Sequence, residues 1–150
     1  MLPYLVTSNE DSVALLELDD GRFQMLEPGP VARFASGYQY LVVDRALAKY
    51  LKSLKVPQIT ISPAVIVNRT TGEEHRSHTR VFVSRTFHSG EIKALALDGL
   101  QMLSMNGEHY FVSPSLKFAL ETNEFSYLEF SEGLSGFAST HGARAGSSAA

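Results

Sequence analysis

A strand, a capped helix and a second strand are written between Tyr110 and Phe130. Tyr110-Phe111-Val112 is an apolar run that stops at Ser113. Ser113 fits an N-cap, because its hydroxyl can accept a bond from an orphan N–H of the first helical turn. Pro114 follows at the first helical position, where a missing N–H costs nothing. Leu116, Ala119 and Leu120 then recur at helical spacing. Beyond Asn123 the pattern changes to alternation, with Phe125, Leu128 and Phe130 marking a strand.

An earlier stretch has the same order. Tyr40-Leu41-Val42-Val43 is apolar, Asp44 is an N-cap candidate, and Ala46, Leu47, Tyr50, Leu51 and Leu54 form an apolar helical stripe. Val56-Pro57 ends it, since proline disfavours helical geometry in the residue before it. Ile59-Thr60-Ile61 alternates as a strand. With Asp44 placed on Ser113, Leu47 falls on Leu116, Leu51 on Leu120, Val56 on Phe125, Ile59 on Leu128 and Ile61 on Phe130. An internal duplication is one reading. Two units alike only in secondary structure is the other.

The remaining segments read as β structure and turns. Leu2 to Val6 and Val13 to Leu18 predict strands, and Asp19-Asp20-Gly21 predicts a hairpin turn into Phe23 and Met25. Glu27-Pro28-Gly29-Pro30 opens a loop. Arg45, Lys49, Lys52 and Lys55 give the first helix a basic face, read as solvated. Ala64 to Val67 and Val81 to Val83 predict the arms of a long hairpin whose polar tip spans Asn68 to His78. Ile92 to Leu97 predicts a strand or a short buried segment, and Asn106-Gly107 a turn. The expected fold is α+β: a largely antiparallel sheet with two helices packed on it. Residues 1–134 form the expected single domain. Residues 135–150 are Gly, Ala and Ser rich, and Ser139 to Ala150 is expected to be flexible, since such a tail buries too little apolar surface to offset its ordering entropy.

Composition narrows the function classes. The chain has 150 residues, and its net charge of −3 supplies no basic footprint for nucleic acid or anionic lipid. No run is apolar enough to span a bilayer, and Met1 to Glu10 lacks the basic and apolar regions of a signal peptide. A cytoplasmic protein is expected. The absence of cysteine excludes disulfides and thiol chemistry.

The sequence carries no recognisable catalytic constellation. His75 and His78, beside Glu73 and Glu74, have i, i+3 spacing rather than the i, i+4 helical pair of zinc hydrolases. No metal site or cofactor is expected. No Gly-x-Ser-x-Gly or glycine-rich phosphate loop occurs. The aromatics fall mostly on apolar strand positions, which predicts core packing.

From Leu95 to Phe130 the order is more specific: Leu95-Ala96-Leu97-Asp98, Met102 to Gly107, the unit carrying Val112, Ser113, Leu116 and Leu120, and Tyr127-Leu128-Glu129-Phe130. It resembles a bacterial family of immunity proteins from polymorphic and contact-dependent toxin systems, over residues 92–131. Asn123-Glu124-Phe125-Ser126 stands where that family has a small-residue turn. The resemblance implies a binding protein, not an enzyme, that neutralises a cognate toxin and needs no catalytic residue. The predicted exposure of the hairpin tip, and not a family motif, makes Glu73, Glu74, His75, Arg76 and His78 the candidate partner-binding residues. Two alternatives stay open: a small hydrolase-like enzyme using His75, His78 or His88 with a carboxylate, and a structural adaptor pairing through strand edges.

Overall fold

The computed structural model describes residues 1–137. The strands, in chain order, are β1 (Tyr4–Ser8), β2 (Leu15–Glu17), β3 (Phe23–Met25), β4 (Phe34–Gly37), β5 (Tyr40–Asp44), β6 (Ile59–Pro63), β7 (Ile66–Val67), β8 (Glu74–His75), β9 (His78–Val83), β10 (Thr86–Phe87), β11 (Met102–Met105), β12 (His109–Val112) and β13 (Leu128–Glu132). Helix α1 is Arg45–Ser53 and α2 is Pro114–Glu121. The fold is α+β and mainly antiparallel; β3–β7 and β10–β11 are its parallel pairs. The ladders divide into three sheets: β10-β11-β12-β1-β13, β4-β5-β9-β6 and β2-β3-β7-β8.

The two strand–helix–strand units are built alike. Asp44 and Ser113 both cap their helices, each accepting the N–H three residues on (2.8 Å to Leu47 and 3.4 Å to Leu116). In each unit the strand before the helix and the strand after it flank a common antiparallel strand: β9 lies between β5 and β6, and β1 between β12 and β13. The registers correspond. Val42 pairs with Arg80 while Phe111 pairs with Leu5, and Ile59 pairs with Val83 while Leu128 pairs with Ser8. Both units also begin with a hairpin. Gly37 pairs with Tyr40 across a tight turn, and Met105 with His109 across a turn one residue longer. That extra residue is accommodated by left-handed backbone at Asn106 and Gly107 (φ 59° and 67°).

The likeness of the two units therefore extends to strand register, with one difference. β9 follows β6 in the chain, whereas the equivalent β1 comes from the N-terminus. The halves touch at two places. The Tyr50 hydroxyl donates to the carbonyl of Ala119, its superposed residue (3.2 Å), and the Gln39 N–H donates to the Gly107 carbonyl in the matching turn (2.6 Å).

One apolar cluster joins the halves. It takes Val43, Leu47, Leu51 and Val81 from the first and Val6, Val112, Leu116 and Leu120 from the second. Each buried aliphatic of this kind contributes about 1.5–3 kcal/mol. The opposite face of each sheet has its own cover. Sheet β2-β3-β7-β8 lies over Tyr40 and Val42 with Phe23 and Ile66. Ile92, Leu97, Leu134 and Phe137 lie over Leu5, Leu103 and Phe111. Residues 92–97 form no strand, and of them only Ile92 and Leu97 are buried. Packed chain reaches Phe137, whose ring meets His109 edge-on at 4.9 Å, so order continues past the expected boundary at residue 134. The expectation for Ser139 to Ala150 lies outside the described residues. No helix among the described residues is long and apolar enough to cross a membrane.

The link from β1 to β4 is ionic. Glu10 accepts the Arg33 backbone N–H and its Nε, both at 2.9 Å, and the guanidinium lies 4.2 Å from the Tyr127 ring centre. The Arg33 side-chain hydrogen bond holds the Glu10 carboxyl below its ordinary 4.5. A lowered folded pKa stabilises above the unfolded pKa and is lost as pH falls through the folded value. The Tm gap between wild type and Glu10→Gln should therefore be constant above pH ~5 and close as pH drops below 4.5. A gap that persists unchanged to pH ~2 would show that the carboxylate charge contributes nothing.

Candidate functional site

The candidate surface is built where the chain between β6 and β9 leaves its sheet. The long hairpin expected over 64–83 is interrupted. β6 does pair with β9, but residues 64–77 cross over to extend the β2-β3 hairpin. Burial drives the crossing: Ala64 and Ile66 are 2% and 1% exposed in the cluster around Phe23. Phe23 N–H donates to the Val65 carbonyl at 2.8 Å.

The tip beyond is tightly bonded. Asn68 Oδ1 accepts the N–H groups of Thr70 and Thr71 (3.0 and 3.3 Å), and the Asn68 carbonyl accepts that of Gly72 (2.7 Å). Gly72 has φ 74°, the left-handed conformation that glycine adopts at no steric cost.

This scaffold displays alternating charge. Glu74 bridges two guanidiniums, Arg76 at 2.8 Å through Oε1 and Arg22 at 3.2 Å through Oε2. Arg22 also holds Asp20 at 2.8 Å. Its bonds to Asp20, backbone first, keep that carboxyl below its ordinary value, and Asp20 in turn raises the Arg22 guanidinium. Glu73 lies 3.3 Å from His75 Nε2. All are solvent-exposed, so each pair contributes little stability on its own.

The five expected contact residues separate here. Glu73, Glu74, His75 and Arg76 are exposed together on and beside β8. His78 is not: it is 8% exposed, with Nε2 bonded to the Ala32 carbonyl (2.8 Å) and Nδ1 to the Ser77 hydroxyl (2.9 Å). A carbonyl only accepts, so Nε2 carries the proton. His78 is a packed strand residue that ties β9 to the chain before β4. Sequence reasoning missed Asp20 and Arg22. The Asp-x-Arg spacing in the β2–β3 turn was visible, but the parallel β3–β7 pairing that carries it to Glu74 was not.

The hydrolase alternative gains little from these positions. Both ring nitrogens of His78 are engaged, and His88 precedes the short 3-10 turn Ser89–Glu91, its N–H held by Glu91 at 2.8 Å. Among the described residues no three His, Asp or Glu side chains are grouped to hold a metal ion. No protein-family model, curated protein or solved structure matches this chain.

Proposed function

We propose that this chain is an immunity-type protein that binds and neutralises a cognate bacterial toxin or effector in the cytoplasm, without a catalytic step of its own. The observation that carries the reading is the exposed cluster of Asp20, Arg22, Glu73, Glu74 and Arg76, fixed by a hydrogen-bonded turn and anchored by buried Ile66. The resemblance over residues 92–131 supplies the class of partner. A binder of this kind gains from side chains held in place before the encounter, because less ordering entropy is lost on binding. Mixed charge favours one complementary surface and steers its approach.

The partner is sought first by tagging the N-terminus, purifying from the native host, and expressing any stoichiometric companion alone to score toxicity. With that partner in hand, Glu73→Lys/Glu74→Lys and, separately, Arg76→Glu should slow association about tenfold or more at low salt. Circular dichroism checks that both variants are folded. Unchanged affinity in both would remove the cluster from the interface. A chain that captures no toxic companion when a candidate toxin is co-expressed would overturn the reading itself.

A further inference from the structure

The two halves end in equivalent edge strands, β6 and β13, each paired on one side only. Their surroundings differ in charge. Beside β6, helix α1 and the turn after it present Arg45, Lys49, Lys52 and Lys55. Under the superposition of Asp44 on Ser113, those positions become Pro114, Phe118, Glu121 and Glu124, and β13 adds Glu129 and Glu132. The Arg45, Lys49, Lys52 and Lys55 side chains have no carboxylate within ion-pair distance among the described residues.

A groove runs along the β6 edge. One end is a cavity of about 380 Å³ between Leu51, Lys52, Lys55, Val56, Ile59 and Ile61. The other, also about 380 Å³, continues past Ile61 to Arg45, Ser62 and Pro63 and ends against Arg76 and Thr79. The backbone of β6 is open in a definite pattern. Ser84 N–H bonds the Gln58 carbonyl and Ala64 N–H the His78 carbonyl, so even-numbered residues of this ladder face β9. Antiparallel pairing alternates, which turns the N–H and C=O of Ile59 and Ile61 toward the open edge.

We infer that the β6 edge is a strand-addition site for an extended acidic segment of another protein. Such a segment would bond the backbone of Ile59 and Ile61, the mode in which main-chain bonds give affinity and side-chain pockets give selectivity. An added strand sits about 4.8 Å outside β6, within reach of the lysines lining the groove. Its carboxylates meet these cations, and its aliphatic stems cover Val56 and Ile61. Residues 138–150 of this chain contain no Asp or Glu and do not fit this rim. The β13 edge of a second copy has the right charge, but Leu128 and Phe130 already pack into their own core and leave the groove unfilled. The Pro63 end of this groove adjoins Arg76 of the charged cluster, but the residues varied below lie at the Ile61–Lys55 end, and their test does not need the toxin.

The probe is a fluorescein-labelled peptide of alternating Glu and Val, ten residues long, titrated with the full chain by anisotropy. It should bind, and binding should weaken at least tenfold in Lys52→Glu/Lys55→Glu and in Ile61→Pro. That proline removes an N–H that β9 does not use, and proline is tolerated at such edge positions. Glu129→Lys, on the other edge, should bind as wild type does, and a Lys/Val peptide should not bind. Absence of binding, or equal binding by the β6 variants, overturns the site. Self-association of the wild-type chain that Glu129→Lys abolishes would assign the edge to a second copy and overturn it equally.

Discussion

Leu47→Ala and Leu116→Ala should each lower the unfolding free energy by about 2–5 kcal/mol, the range for truncating a fully buried leucine. Both sit three residues after a helix cap and are 2% and 0% exposed. They belong to one apolar cluster shared by the two halves. Urea unfolding of the two variants and the double variant measures this directly. Residues that share a cluster couple by roughly 0.5–3 kcal/mol, so the double loss should depart from the sum of the singles. A plain sum would mean that the halves have separate cores. Leu16→Ala provides the comparison, because Leu16 is 50% exposed on an edge strand and should change stability by no more than about 0.5 kcal/mol.

The parts of the fold that depend on neighbouring residues were legible. Both caps and the leucines of both helical stripes follow from local chemistry, though Ala46 is exposed and the strand after α2 begins at Leu128 rather than Phe125, and the superposition of Leu47 on Leu116 and Ile59 on Leu128 holds in the structure. What could not be read was the partner strand of each unit. β9 comes after a crossing to another sheet, and β1 comes from the far end of the chain, so no spacing announces that they are equivalent.

His78 shows the same limit at the candidate site. Along β9, Val81 and Val83 point into the shared core, which assigns His78, Arg80 and Phe82 to the outer face. Alternation stops there. It does not reveal that sheet β2-β3-β7-β8 covers the His78 end, where Arg80 packs over Phe23 and pairs with Glu17, and leaves Phe82 54% exposed. The burial of His78 is a property of that neighbour. The basic face of α1 was legible as a charge pattern, but its place beside an open strand was not.

Ser113 shows how a correctly read residue can carry more than its local role, and the second large effect follows from it. Its side chain is fully buried. Besides accepting Leu116 N–H, the hydroxyl accepts Gln101 N–H at 2.9 Å and donates to the Gly99 carbonyl at 2.7 Å. It caps α2 and also fastens the segment entering β11. Ser113→Ala removes a cap worth about 0.5–2 kcal/mol and the hydrogen bonds to Gln101 and Gly99, worth about 0.5–1.5 kcal/mol each. The expected loss is roughly 2–4 kcal/mol, and Asp44→Ala, which removes its cap and also the acceptor of the buried Tyr127 hydroxyl (3.3 Å), should cost about as much. Ser113→Asp separates the two roles. Aspartate caps as well as serine does, but a carboxylate cannot donate to Gly99 and would be buried as a charge. It should destabilise at least as much as alanine, whereas hydrogen exchange at Gln101, whose N–H keeps an acceptor in the aspartate, should speed up in Ser113→Ala. If Ser113→Asp retains wild-type stability, the cap is the whole contribution of this side chain, and the segment before β11 is held by its own packing.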